Sequence, residues 1–515
     1  MGTKLDTTLD LTLVIDIGKS NAKLLLLDGD GTVVERHSRA NTSVPSPLGY
    51  PALDVHGLQQ WMQHTLRGSP NAQRCGHVIA STHGAAIVAL GDGQLAWAPL
   101  DYEFEDVALE GAAQTAFLAA SGSFRETLSP ELPAGLNAAR QLHWLQSMHP
   151  DAWRRTRTLL PYAQYWAWLL SGVACSEVSS LGCHTHLWNP ATGSYSSLAV
   201  TKGWATMFAP LRLAWEVVGT VGAVNAGQMA DGQGAARAAA WGLSPACQVH
   251  VGVHDSNACL ARYFDRSVLQ VAGAGAGAKP ATATPALTIV SSGTWTVLMA
   301  PGASAHDLVA EQDMLGNVDV TGRVTPTARF MGGREFAALL DGSDPATASL
   351  QTLQQLVQCQ TFALPCFSPQ GGPFAGRTGY IEQGGMRLQG AVANHLDAAE
   401  RATLAACYCA QVTAWLIHYL WKDKSNAQHS VVVEGPLAHN PVYLQVLQAV
   451  LPGSRCHASV DALEGTARGA WLLTRWGQGS VQAQLQAVEE RESASARLLH
   501  YHRQWLQKVG AGHSQ

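Results

Sequence analysis

Leu13 to Asp28 reads L-V-I-D-I-G-K-S-N-A-K-L-L-L-L-D: an apolar run, a tight glycine-centred turn crowded with small and polar residues, and a second apolar run. This is the pattern of a β-hairpin whose turn leaves backbone N–H groups free to hold an anion. About 275 residues further on, Leu287 to Gly302 reads L-T-I-V-S-S-G-T-W-T-V-L-M-A-P-G and repeats the pattern. One such hairpin in each half predicts two related domains that face one phosphate-bearing ligand. The plainer alternative is that any β-rich protein contains hairpins.

The bulk of the chain fits two large α/β cores. Its 515 residues exceed what one core organises, so two domains of roughly 200–260 residues are expected. Charged residues are 14% and hydrophobic residues 47%, a balance that suits extensive burial and excludes disorder. With a formal net charge of −5 and no long Lys/Arg block, nucleic acid is not expected as a partner. Met1 to Asp10 is polar and does not read as a signal peptide. The most apolar helical stretch, Ala414 to Trp421, runs into Lys422, Asp423 and Lys424 and is too short to span a membrane. Ten scattered cysteines without C-x-x-C spacing predict neither a zinc site nor a disulfide framework. A cytoplasmic protein is expected.

Strands are predicted at Leu11–Ile17, Leu24–Leu27, Thr32–Arg36, His77–Ser81, Cys247–Val253, Leu287–Met299 (as a hairpin) and Ser430–Glu434. Helices are predicted around Leu58–Leu66, Leu142–Leu170, Ala258–Tyr263, Ala399–Trp421, Val442–Val450, Glu464–Ala470 and Glu489–Gln507. Ala272–Pro285, rich in Ala, Gly, Thr and Pro, reads as a connection.

Two aspartates stand where such a fold places chemistry. Asp16 ends an apolar strand just before Gly18, a position suited to holding Mg²⁺ through water, or to capping the turn. Asp255 ends V-H-V-G-V-H-D and opens a helix. Ligands of open α/β sheets sit at strand carboxyl ends, where a carboxylate can take the proton of a hydroxyl attacking a phosphoryl group. Helix capping by Asp255 or Ser256 is the alternative. His254 is expected on the opposite strand face from Asp255. His83 and Asp101 follow strand ends and could meet a polar ligand or simply be solvated. His184 and His186, at strand spacing, share a face but lack visible further metal ligands.

Taken in order, these pieces resemble the FGGY family of carbohydrate kinases, within the actin/hexokinase/Hsp70-like ATPase superfamily. Asp16 to Lys23 (D-I-G-K-S-N-A-K) is similar to the first phosphate motif, and Gly252-Val253-His254-Asp255 to the segment ending in the catalytic aspartate. Ser291 to Trp295 (S-S-G-T-W) resembles the second phosphate motif in the form used by rhamnulokinases. Glu434 to Asn440 (E-G-P-L-A-H-N) stands where the adenosine loop lies, and Glu464 to Ala470 resembles the helix against the nucleotide. There are departures. Lys19 replaces a threonine, Glu434 replaces the first glycine of a pair, and Leu100-Asp101-Tyr102-Glu103 stands in place of W-x-D-x-R.

The resemblance implies two ribonuclease-H-like α/β domains with a nucleotide cleft between them. The N-terminal domain would span 11–260, the C-terminal domain 261–480, and a helical tail 481–515. It implies ATP and Mg²⁺ as cofactors, a small sugar as substrate, no membrane partner and a possible homodimer. Asp255 would be the catalytic base and Asp16 the metal ligand. Gly18, Lys19, Ser20, Asn21, Lys23, Gly293, Thr294 and Trp295 would surround the phosphates, and Gly435, Pro436, Asn440 and Glu464 the adenosine. His83, Asp101, His254 and Asp255 would meet the sugar. The substrate expected is a ketose, a 6-deoxyketulose such as L-rhamnulose or L-fuculose before xylulose, ribulose or a polyol. The rival readings are an actin-fold ATP switch and a sugar-sensing module without kinase activity.

Overall fold

Leu11–Ile17 (β1) is buried along its whole length, as a strand with neighbours on both edges and layers on both faces must be. The computed structural model describes residues 8–105, 111–223, 233–264, 286–368, 371–422, 429–460, 465–478, 485–489 and 492–510. The chain divides into two compact units. The first is Met1–Gly273 with Gly316–Val324 and Thr466–Gln482; the second is Ala274–Leu315, Thr325–Gly465 and Ala483–Gln515.

In the first unit, β1 turns back into β2 (Asn21–Leu27), which pairs with β3 (Val33–Ala40). On its other edge β1 runs parallel to β4 (Cys75–Thr82). Beyond β4 lie β6 (Gln248–His250), parallel to β4, and β5 (Val217–Thr220), antiparallel to β6; β7 (Val253–His254) also pairs with β4. Helix α1 (Val55–Gly68) starts where the Asp54 carboxylate accepts the Gly57 N–H at 2.8 Å. Its buried Leu58, Met62 and Leu66 recur every fourth residue and join the core formed by Leu13, Ile15 and Val78.

The second unit repeats this order. β8 (Leu287–Ser292) turns back into β9 (Thr296–Met299), and β10 (Val324–Phe330) pairs with β9. On the other edge β8 runs parallel to β11 (Ser430–Glu434), then come β12 (Arg455–Ser459), parallel, and β13 (Leu485–Ala487), antiparallel. The orders β3-β2-β1-β4-β6-β5 and β10-β9-β8-β11-β12-β13 correspond strand for strand in direction. The 23-residue helix Ala398–Leu420 covers the second sheet and begins with a capping box between Asp397 and Glu400.

Several expectations are corrected. The stretch Leu142–Leu170 is not one helical region. Helices Ala138–Met148 and Tyr162–Ser171 flank a strand, Thr158–Pro161, which pairs with Ile87–Gly91. The strand expected at Cys247–Val253 breaks at Gly252, whose φ of +91° no L side chain adopts easily and whose Cβ would lie 2.8 Å from the Ala80 carbonyl oxygen. His184 and His186 do not lie in a strand. His186 has φ +63°, and the two rings bond separately to the Leu136 and Ser129 carbonyls. The connection read at Ala272–Pro285 lies outside the described residues. All ten cysteines are free, and no helix among the described residues is long and apolar enough to cross a membrane.

Candidate active site

The first unit gathers its polar residues where β1, β4 and β7 end. The β1–β2 turn closes through the Gly18 N–H to the Asn21 carbonyl at 2.9 Å. Asn41, just after β3, clamps this turn: its amide donates to the Gly18 carbonyl at 2.7 Å and its N–H to the Ser20 carbonyl at 3.0 Å. Ser20 and Asn21 are exposed at the tip. Asp16 and Lys23 are cross-strand partners, and Lys23 Nζ lies 3.4 Å from Asp16 Oδ2. Burial pushes the Asp16 carboxyl up; Lys23 opposes that shift and the charge of Asp255 adds to it.

Asp255 is the first residue of helix Asp255–Ala261, with 31% of its side chain exposed. Its Oδ1 accepts from the Ser256 N–H at 2.6 Å. Burial raises its pKa, and the charge of His83 and the bonds from Ser256 oppose the rise. His254 departs from the expected opposite-face placement. Strand alternation stops where the helix begins, and His254 Nε2 lies 3.3 Å from Asp255 Oδ1. Asn257 Nδ2 donates to His254 Nδ1 at 3.2 Å, an arrangement that places the ring hydrogen on Nε2. Burial pulls the His254 pKa down to about 4, so the ring is neutral near pH 7. Gly84 makes room for it: a Cβ there would sit 2.9 Å from His254 Nε2.

His83 and Asp101 are not solvated loop residues; they are 7% and 3% exposed. The His83 N–H donates to the Ile17 carbonyl at 2.9 Å, its Nδ1 meets the Gly84 carbonyl, and its Nε2 is buried with no partner. Burial lowers its pKa. A buried ring nitrogen without a partner is costly unless a ligand completes it. The ring packs against Tyr102 and Tyr162, both at 5.2 Å. Asp101 Oδ2 accepts from Lys19 Nζ at 2.5 Å and from the Ser43 hydroxyl, and Oδ1 from the Glu103 N–H at 2.9 Å. Burial alone would raise this carboxyl, but these three donors hold it below the usual range.

Helix Gly465–Leu473 also contributes to this unit. A Cβ on Gly469 would lie 1.7 Å from the Ala258 carbonyl, so the small residues of that helix allow backbone contact with the helix that Asp255 opens. Trp471 Nε1 donates to the Asp28 carbonyl at 3.0 Å. Among the described residues no three His, Cys, Asp or Glu converge as a metal cage. Mg²⁺ needs none, because it is commonly bound by one or two carboxylates and the phosphates themselves, and the Asp16 carboxylate at the end of β1 suits that donor set.

In the second unit, Gly293 and Thr294 are exposed at the β8–β9 turn, and a Cβ on Gly293 would meet nothing closer than 3.6 Å. Arg329 lies over the Trp295 ring at 4.5 Å and is held by Asp313 at 2.8 Å; Asp313 also accepts the Gly372 N–H at 2.9 Å. Ser292 joins this turn to the loop after β11. Its hydroxyl donates to the Glu434 carbonyl at 2.5 Å and accepts the Leu437 N–H at 3.0 Å. Gly435 is obligatory there, with φ +78° and ψ −166°, and a Cβ would fall 1.9 Å from the Ser292 carbonyl oxygen. Pro436 is exposed beside it. Asn440 Oδ1 caps the helix Pro441–Val450 by accepting the Tyr443 N–H at 3.0 Å. Glu464 lies outside the described residues. Asn41, Ser43, Tyr102, Asn257, Asp313 and Arg329 are supporting residues that motif reading did not single out.

Comparison with known proteins supplies the family. Residues 284–483 match the family model for the C-terminal domain of FGGY carbohydrate kinases. No curated protein sequence matches the chain. Among solved structures, a carbohydrate kinase from Novosphingobium aromaticivorans is 32% identical, with a TM-score of 0.80 over 98% of this chain and 100% of that one. A xylulose kinase from Lactobacillus acidophilus shares the fold at 13% identity and TM-score 0.71, over 97% of this chain and 98% of that one. A glycerol kinase from Plasmodium falciparum, solved with ADP, does so at 10% identity and TM-score 0.69, over 98% of each chain. The two sheet-rich units and the full-length match to a relative of this identity establish that the chain belongs to the FGGY family of carbohydrate kinases.

Proposed function

We propose that this carbohydrate kinase transfers the γ-phosphoryl group of ATP to a hydroxyl of a ketose, with Asp255 as general base. The observation that carries the reading is the Asp255 carboxyl, partly exposed at the start of its helix and close enough to His83, whose Nε2 is buried without a partner, for the two charges to act on each other. As the substrate oxygen bonds to the γ-phosphorus and the bond to the bridging β–γ oxygen breaks, the hydroxyl proton passes to Asp255 and ADP leaves. Such chemistry asks the protein mainly for positioning and charge stabilisation. His83, Asp101 and His254 would orient the acceptor. The neutral His254, whose Nε2 lies 3.3 Å from Asp255 Oδ1, would help hold that carboxyl in place.

Gly18, Ser20, Asn21 and Lys23 would cradle phosphate on the first turn, and Gly293, Thr294 and Trp295 on the second. Gly435, Pro436, Asn440 and Glu464 would border adenosine. In this division of labour, residues 11–260 supply the acceptor site and first phosphate turn, and 261–480 the second turn and adenosine loop. Asp16 would hold Mg²⁺, which when bound neutralises charge on the β- and γ-phosphates. The G-T-W form at Gly293 to Trp295 favours a 6-deoxyketulose such as L-rhamnulose or L-fuculose. Asp255→Asn tests the reading: sugar-stimulated ADP release should fall about 10²–10⁴-fold with the melting temperature unchanged. Turnover near wild type in that variant would defeat it.

A further inference from the structure

Lys19 stands in the first phosphate turn, where the family carries a hydroxyl, yet its ammonium is engaged elsewhere. It lies 2.5 Å from Asp101 Oδ2 and 3.6 Å from Glu103 Oε2, and 5.3 Å from the centre of the Tyr102 ring. Its side chain is 23% exposed and that of Asp101 only 5%. Swinging Lys19 onto a phosphate would leave the buried Asp101 charge without its cation, an arrangement folded proteins strongly resist. Tyr102 in turn sets its ring edge-on to His83, whose Nε2 is buried without a partner. Lys19, Asp101, Tyr102 and His83 therefore form one wall.

Asp101 is held ionised and aimed by three donors, so it can only accept hydrogen bonds. Asp255 is a second carboxylate in the same unit, and the charge of Lys19 is already shared between Asp101 and Glu103. A hydroxyl on this wall can complete the unpartnered His83 Nε2, while a carboxylate-bearing sugar would meet the like charge of Asp101.

We infer that Lys19 is a positioning residue for the acceptor sugar rather than a phosphate ligand: it fixes Asp101 so that this wall selects a neutral polyhydroxy substrate over a sugar acid. The inference rests on the kinase reading above, and the experiment separates the two. Binding of AMP-PNP with Mg²⁺ to the full chain is measured by calorimetry for wild type and Lys19→Thr. Acceptor KM, ATP KM and kcat are then measured with L-rhamnulose, L-fuculose, D-xylulose and D-gluconate.

The expected result is an acceptor KM raised about tenfold or more in Lys19→Thr, the loss that accompanies a misplaced charged hydrogen bond. AMP-PNP affinity and ATP KM should stay within about twofold, Lys19→Arg should recover most of the acceptor affinity, and D-gluconate should be the poorest acceptor for wild type. A tenfold loss of AMP-PNP affinity, an unchanged acceptor KM, or efficient turnover of D-gluconate would overturn the inference. If wild type binds AMP-PNP but no sugar stimulates ADP release, the kinase reading fails. The nucleotide affinity of Lys19→Thr still decides whether Lys19 serves phosphate.

Discussion

Gly435→Ala puts a methyl group where the structure has no room. The residue has φ +78° and ψ −166°, a region essentially restricted to glycine, and occupying it with alanine costs about 1–3 kcal/mol. The new Cβ would also lie 1.9 Å from the backbone carbonyl oxygen of Ser292, so the backbone must move, at about 1–3 kcal/mol more. The total is about 4 kcal/mol, or a fall of about 10 °C in melting temperature for a unit of this size. Gly453→Ala is the control. Gly453 also has positive φ (+85°) but nothing within 4 Å of its Cβ position, so it should lose about 1–2 kcal/mol. Differential scanning calorimetry of the full chain compares the two, and AMP-PNP binding should weaken only in Gly435→Ala. Equal losses in both variants would refute the claim that the Ser292–Gly435 contact forms the loop.

Other predictions follow from buried charges. Arg329→Leu strips Asp313 of its cation and Trp295 of its stacking partner, and should destabilise by about 3–5 kcal/mol, read as a lower melting temperature and weaker AMP-PNP binding; an unchanged melting temperature contradicts it. His250, hydrogen-bonded to His77 at 3.1 Å, has its pKa pulled down by burial to about 4. Because the folded value lies below the unfolded one, the unfolded chain binds more protons between these values. Stability is therefore full above about pH 6.5 and is lost as pH falls toward 4, by about 3 kcal/mol from this residue. The melting temperature should fall more steeply with pH across that window for wild type than for His250→Asn, and parallel slopes would count against the assignment.

The hairpins were legible because their information is local: each is two apolar runs and a glycine-centred turn within about 16 residues, and Asp16 and Asp255 stand at strand ends that such runs mark. The strand Thr158–Pro161 was not, because Trp- and Leu-rich sequence on either side sustains helical spacing, and only its partner Ile87–Gly91, about 70 residues away, makes it a strand. The burial of His83 and Asp101 was equally hidden. Asp101 owes its place to Lys19 and Ser43, 82 and 58 residues away, and no local pattern announces such contacts. His254 was misplaced because strand alternation was carried one residue too far, into a helix that begins at Asp255. The clamp of Asn41 on the Gly18 turn and the pair Arg329–Asp313 are of the same kind, polar contacts between segments that only the fold brings together.

The measurement that bears most directly on the central claim is ADP release from Mg·ATP across a panel of ketoses, aldoses and polyols, with Asp255→Asn alongside. Strong stimulation by a neutral ketose, abolished in the variant, is the expected result. ATP binding without stimulation by any sugar would contradict it and favour an ATP-binding switch or a sugar-sensing module.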